Sequence, residues 1–308
     1  MLREVLHVAE LFGGGGKPKP AGEVERTPLN RVERAFRITG ELPVTTITFF
    51  RKLPGGAGGP SVETELRERV AAVLAANPWL AGHVTKTELV WEKAPQPSAV
   101  DRVFVTRAAC DLGPRTPYRE MYRLCKDAEA SLLGVGKPAF LVTLLPAAAP
   151  EGPGFALVVS LAHILGDGHT YYQLWNMLTN AARVEALSAS RKLEADAGME
   201  AKIEHSIATD WGLGADFVFG LAVEKLRSLA AAAFPFVRPP SPFALRFRYL
   251  DVDFVARAKA KAKAEGEVPF VSTNDVVTSW FLKAFPVGVM AINFRNRLAG
   301  LGDNDAGN

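Results

Sequence analysis

The residues able to do chemistry gather in one short segment, AHILGDGH, where His163, Asp167 and His169 fall within seven residues. An imidazole with an ordinary pKa near ~6.5 is suited to take a proton from an attacking alcohol or amine at neutral pH. Gly166 and Gly168 bracket Asp167 and let the backbone bend there. An aspartate so placed is better suited to hold the turn through a buried ion pair than to touch a substrate. The bland alternative is a core histidine beside a common Asp-Gly turn. Other chemistries fit less well. His163, Asp167 and His169 offer three metal ligands, but no Cys cluster or HExxH helix accompanies them, and no metal is expected. A Ser-His-Asp hydrolase lacks its GxSxG elbow. The GGGGK run has Leu11 and Pro18 where a phosphate-binding loop requires Gly and Ser or Thr.

The elements that must position this segment follow from periodicity. PAFLVTLLP and GFALVVSLAHI are continuous apolar runs, which predicts two buried strands, the second delivering His163 to a turn. TYYQLWNMLTNAAR, residues 170–183, predicts a helix directly after the turn, so the site rests on rigid elements. Upstream, TTITFFRKL alternates as a strand does and leads through Gly55 to Gly59 into a helix from Ser61. Leu66, Val70, Val73 and Leu74 recur at helical spacing there, Ser61 caps the helix, and Pro78 ends it. Strands are predicted at 89–93 and 102–107 and a helix from Tyr118 to Leu133. A proline-punctuated stretch, 184–243, reads as a crossover. Beyond it come a strand (ALRFRYLDV), a helix (ARAKAKAKAEG) with a solvated basic face, a capped helix (STNDVVTSWFLKAF) and a strand (VGVMAINF).

Bulk properties narrow the class. The chain has 308 residues, 48% hydrophobic and 22% charged, enough for two domains with cores. Its net charge of +3 gives no reason to invoke nucleic acid. The only cysteines, Cys110 and Cys125, form no disulfide framework, which fits a reducing, cytoplasmic setting. Arg3, Glu4 and Glu10 interrupt the N-terminus where a signal peptide needs an apolar core. The most apolar stretch, 215–237, carries Glu224, Lys225 and Arg227, so packing against protein is favoured over lying on a membrane surface, and spanning is disfavoured.

AHILGDGHTYY resembles the HxxxDG motif of the chloramphenicol-acetyltransferase-like superfamily, especially the BAHD acyltransferases. ANPWLAGHV, STNDVVTSWFLKAF and INFRNRL followed by Gly-Asn resemble further segments of that family, in family order, from about residue 27 to 308. The resemblance implies an α/β two-layer sandwich and acyl transfer from a thioester, acyl-CoA as co-substrate, to a small-molecule hydroxyl or amine acceptor. No prosthetic group would be needed. His163 would be the general base. Asp167 would point away from substrate and pair with Arg295, or secondarily Arg297, with Gly168 completing the turn. Ser272, Thr273 and Asn274 would lie near the donor, though their types also suit capping. Ala162 stands where other branches often have a second histidine, which favours the BAHD-like branch over the wax-synthase type. The family's DFGWG segment is absent.

The expected organisation is thus a complete acyltransferase domain with HxxxDG over 1–190, a helical crossover over 191–243 and a partial second acyltransferase domain over 244–308. The expected activity is that of an acyltransferase for groups other than aminoacyl groups. The alternative is a C-terminally truncated, inactive member acting as a binding or interaction protein.

Overall fold

Among the described residues two strands are buried on both faces, and other elements of the first unit cover them. The computed structural model describes residues 23–30, 33–34, 43–50, 61–108, 116–128, 130, 138–146, 154–193, 250–266, 270–283, 293–297 and 300–307. The N-terminal segment and both glycine runs (13–20 and 55–59) lie outside the described residues, as do Cys110, the crossover beyond 193 and VGVMAINF as far as 292. By compactness the chain divides into residues 1–196 with 293–308, and residues 197–292.

The first unit holds two sheets. Strands β1 (Val24–Pro28), β2 (Val44–Phe50), β3 (His83–Val84), β4 (Glu88–Glu92), β5 (Phe104–Thr106), β6 (Phe140–Pro146) and β7 (Phe155–Leu161) are ordered β1-β4-β3 and β2-β7-β6-β5. All pairs are antiparallel except β5 with β6. β6 and β7 occupy the middle of the larger sheet, and nearly every residue of FLVTLLP and FALVVSL is buried. Their unbroken apolar character follows from that position, because a central strand covered on both faces has no solvent side to leave polar. Phe140, Val142, Leu144, Val159 and Leu161 enter the main core. It is shared with helix α1 (Val62–Ala76), Trp79, Leu89 and Trp91, and with helix α4 (Gly168–Met177). Leu145, Ala156 and Val158 face the other side, under Leu124 of helix α3 (Tyr118–Asp127). The fold class is α/β, with a smaller antiparallel sheet, a larger mixed one and helices packed on both faces of the larger.

Local chemistry sets the element ends. Ser61 Oγ accepts the Thr64 amide at 3.2 Å and caps α1. The strand expected over 102–107 is shorter, because Ser98–Val103 forms helix α2 and seats Ala99 and Val103 in the core. The helix after the turn begins at Gly168, earlier than TYYQLWNMLTNAAR suggests because Asp167 caps it, and ends at Met177. In the second unit, Asp251 Oδ1 accepts the Asp253 and Phe254 amides at 3.0 Å. Helix α5 (Val252–Glu265) therefore takes over the last residue expected of the strand ALRFRYLDV. Helix α6 (Thr273–Leu282) opens on a reciprocal capping box between Ser272 and Asp275. Among the described residues no helix is long and apolar enough to cross a membrane.

One buried amide aligns a distant segment. Asn77, fully buried, donates to Val73 O at 3.2 Å and Glu185 O at 2.9 Å, and accepts the Leu187 amide at 2.8 Å. Ser188 then bridges to Asp305, its amide donating to Asn304 O at 2.7 Å and its carbonyl accepting from Ala306 N at 2.8 Å. Removing the Asn77 carboxamide leaves the buried Leu187 amide without its acceptor. Asn77→Ala is expected to cost about 1–3 kcal/mol of unfolding free energy, the usual penalty for such a group. A urea midpoint equal to that of the parent chain would show that 185–187 is held by other means.

Candidate active site

The segment after β7 leaves the sheet as a tight turn. Leu161 is the last paired residue, opposite both Val44 and Phe140, and the Ala162 amide still donates to Ala139 O at 2.7 Å. The Leu165 amide then donates to Ala162 O at 2.9 Å and the Gly166 amide to His163 O at 3.2 Å. Ile164 and Leu165 are driven fully into the core, while His163, between sheet and turn, stays half-buried. A Cβ on Gly166 would lie 2.6 Å from Thr170 Cγ2 and 2.7 Å from its Cβ, so this position needs glycine for space. Gly168 is different. It is the first residue of α4, exposed, with nothing within 4 Å of where a Cβ would lie.

Asp167 performs two tasks at once. As N-cap of α4 its Oδ1 accepts from Thr170 N and Thr170 Oγ1, both at 2.9 Å. Both oxygens also face Arg295, which binds them as a fork: Nη1 to Oδ2 at 2.6 Å and Nη2 to Oδ1 at 3.1 Å. Planar bidentate pairing of this kind suits arginine and not lysine. The Arg295 side chain is 9% exposed and that of Asp167 28%. Burial raises the Asp167 carboxyl pKa, but the Arg295 hydrogen bonds, those from Thr170 and the guanidinium charge outweigh it and hold the group below its ordinary value of 3.8.

Arg295 stands on a turn, not a strand, across residues 293–297. Asn296 there adopts the left-handed φ of 60° that asparagine tolerates. Arg295 Nε donates to Asp305 O at 2.9 Å, and Nη2 also reaches Thr170 Oγ1 at 3.2 Å. Of the two arginines of INFRNR, Arg295 is the one against Asp167, and Arg297 is exposed. His169 turns elsewhere, with Nε2 3.2 Å from Asp303 O and Nδ1 3.4 Å from Asn293 Nδ2. Among the described residues no three His, Cys, Asp or Glu side chains come together as a metal site would require.

The residues from the donor-side segment lie in the second unit. Ser272 Oγ accepts the Asp275 amide at 3.1 Å, and Asp275 Oδ2 accepts the Ser272 amide at 2.7 Å. Those Ser272 bonds, the backbone one first, keep the Asp275 carboxyl below its ordinary range. Thr273 Oγ1 accepts from Lys259 at 3.2 Å, and Asn274 is exposed on the first turn.

Residues to which the sequence reading gave no role complete the first-unit site. Thr170 links the carboxylate to the guanidinium through one hydroxyl. Gly307, at a φ of +132° open to glycine, accepts from the Asp167 amide at 3.2 Å and from Arg295 Nη2 at 3.4 Å. Glu33 and Arg191 form a second, deeper ion pair under the turn. Its partners are 158 residues apart, so no local pattern could have joined them.

Two outcomes follow from this geometry. Gly166→Ala is expected to lower the melting temperature by several degrees, at about 2–4 °C per kcal/mol for a unit of this size, whereas Gly168→Ala, with open space around it, leaves it unchanged or higher. Equal effects from the two would show that crowding at Gly166 is relieved by movement of Thr170. Asn caps a helix as well as Asp does, so Asp167→Asn removes the charge and keeps the cap. It is expected to cost about 3 kcal/mol near neutral pH, the lower edge for breaking a buried pair. Because the folded-state carboxyl is depressed, that contribution is complete above the ordinary value of 3.8 and vanishes as pH falls through the lower folded value. Parent and variant stabilities should therefore converge in acid below that pH, and a gap independent of pH would refute the ion pair as its source.

No family model matches the chain, and no curated protein matches it. Among solved structures it is similar to polyketide synthase associated protein 5 from Mycobacterium tuberculosis, at 16% identity, 52% of this chain, 32% of that chain and a TM-score of 0.32. It is also similar to TRI101 from F. sporotrichioides complexed with coenzyme A and T-2, at 19% identity, covering 53% and 42% with a TM-score of 0.35. A third is the TRI3 trichothecene 15-O-acetyltransferase from Fusarium sporotrichioides, at 10% identity, covering 52% and 36% with a TM-score of 0.40. The chain spans less than half the length of each of these three proteins.

Proposed function

We propose that the chain is an acyltransferase that moves an acyl group from a thioester, acyl-CoA, to a hydroxyl or amine of a small molecule. His163 is the general base, in a chloramphenicol-acetyltransferase-like fold of the BAHD type. The observation that carries this reading is the division of labour in the HxxxDG segment. The Asp167 carboxylate is committed to Arg295 and Thr170, so the motif presents a half-buried imidazole on a turn that the aspartate holds in place.

The chemistry is balanced without any other group. The His163 imidazole takes the proton from the acceptor O–H or N–H as that oxygen or nitrogen attacks the thioester carbonyl. A new C–O or C–N bond forms, and the carbonyl electrons pass to oxygen. Collapse of the tetrahedral intermediate breaks the C–S bond, and the imidazolium returns its proton to the leaving thiolate, which departs as the free thiol. In this reading Arg295, Asp167 and Gly168 shape the turn and touch no substrate. Ser272, Thr273 and Asn274 meet the donor. Ser272 does so while capping α6, whose N-terminal amides attract the anionic phosphates of a CoA donor.

The test is thiol release from acetyl-CoA with a panel of primary alcohols and amines. His163→Ala is expected to lower the rate at least ~10²-fold, the minimum typical of such a base, with the melting temperature unchanged. A rate within about tenfold of the parent would remove His163 from the role. Acetyl-CoA binding without thiol release from any acceptor would replace the enzyme by a binding protein.

A further inference from the structure

We propose that the buried Glu33–Arg191 ion pair positions the His163 turn, an inference that rests on reading His163 as the general base. Neither residue touches reacting atoms in this scheme. They are positioning residues that act on the backbone on either side of the base.

Burial is nearly complete, at 2% exposure for the Arg191 side chain and 0% for Glu33. Arg191 Nε lies 2.8 Å from Glu33 Oε1 and donates to Oε2 at 3.1 Å. Glu33 is itself set by its own turn: its Oε2 accepts the Asn30 amide at 3.1 Å, and its amide donates to Asn30 Oδ1 at 2.8 Å. The remaining four guanidinium hydrogens all go to backbone carbonyls. Nη1 donates to Ala189 O at 3.0 Å and Ala306 O at 3.1 Å. Nη2 donates to Ile164 O at 3.2 Å and Leu165 O at 3.3 Å. A guanidinium has five N–H donors in a fixed plane, and here each has a partner.

The last two contacts bear on catalysis. Ile164 and Leu165 directly follow His163, and two consecutive carbonyls aimed at one nitrogen fix the peptide planes between the base and Gly166. Asp167 with Arg295 fixes the other end of the same loop. The two clamps meet at residues 306–307, where Ala306 O takes Arg191 and Gly307 O takes Arg295 and the Asp167 amide. A Cβ on Gly307 would lie 3.3 Å from Arg191 Cδ, Cζ and Nε, so the guanidinium lies against the glycine backbone. A buried ion pair is weak support for stability, since apolar residues of the same shape often serve as well. What an apolar substitute cannot do is orient four carbonyls from three chain segments.

Arg191→Lys keeps the charge but offers one ammonium in place of the fork, and it cannot reach Glu33 and the turn carbonyls together. Two readouts are expected to change. For thiol release from acetyl-CoA with the fastest acceptor of the panel, kcat falls ~10- to 100-fold while KM stays within about threefold, as for a displaced catalytic group. Hydrogen exchange at the Leu165 and Gly166 amides, which close the turn, rises at least about tenfold, while exchange in β7 and at Leu174 of α4 is unchanged. If Arg191→Lys does not fold, Glu33→Gln, which keeps the size and one acceptor oxygen but removes the charge, is measured in the same way. Unchanged exchange at the two turn amides overturns the proposal, and so does a uniform rise across β7 and α4, which would mark a general loss of stability. A kcat that falls only with the folded fraction overturns it too. If the parent chain releases no thiol, or His163→Ala is as active as the parent, the His163 reading fails, and the exchange arm alone decides whether the pair holds the turn.

Discussion

A guanidinium taken out of water must have every donor occupied, and around Arg191 that requirement organises the first unit. An unpaired N–H there would be costly in so dry a place, so five acceptors must converge on one plane. One is a carboxylate from residue 33, and the others are carbonyls from the turn after β7, from Ala189 and from Ala306. Each contributing segment is fixed by something else as well. Asn30 orders the glutamate, the Ala162 and His163 carbonyls close the turn, Asn77 aligns 185–187, and Ser188 holds 304–306. The ion pair is the point where these separately built pieces are forced into agreement.

The Asp167–Arg295 ion pair solves a different problem. Asp167 keeps a quarter of its surface open and serves a helix end, where two donors from Thr170 and the helix dipole already favour a negative charge. Arg295 therefore meets an anion that is stabilised before it arrives, and the carboxyl is held low in spite of burial.

Some of this was legible in the residues and some was not. PAFLVTLLP and GFALVVSLAHI betray their central place because a strand covered on both faces has no polar period to show. The Asp-Gly turn, the capping serines at 61 and 272, and the closeness of His163 and Asp167 are local, so spacing reveals them. Arg295 was reachable only through resemblance, since 128 residues separate it from Asp167. Glu33 and Arg191 sit in ordinary surroundings, RVERAF and ASRKLE, where a charged residue is read as surface. Burial of a charge is a property of the packed chain and leaves no mark on composition nearby. The two glycines flanking Asp167 look alike in the sequence until the Thr170 side chain is seen to crowd only Gly166.

The contact of Gly307 with the turn has a consequence for the order in which the molecule is built. Strands β6 and β7 are close in the chain and pair through a short connection, so they find each other early. The Arg295–Asp167 bond closes a span of 128 residues. The entropy of closing such a loop grows only as the logarithm of its length, which makes the closed state affordable, but non-local contacts of this kind slow a folding reaction. The histidine is thus carried into place by elements that form first and is locked by elements that arrive last. On a ribosome the turn would emerge well before Arg295, and during that interval the chain would hold a sheet and a histidine without that clamp.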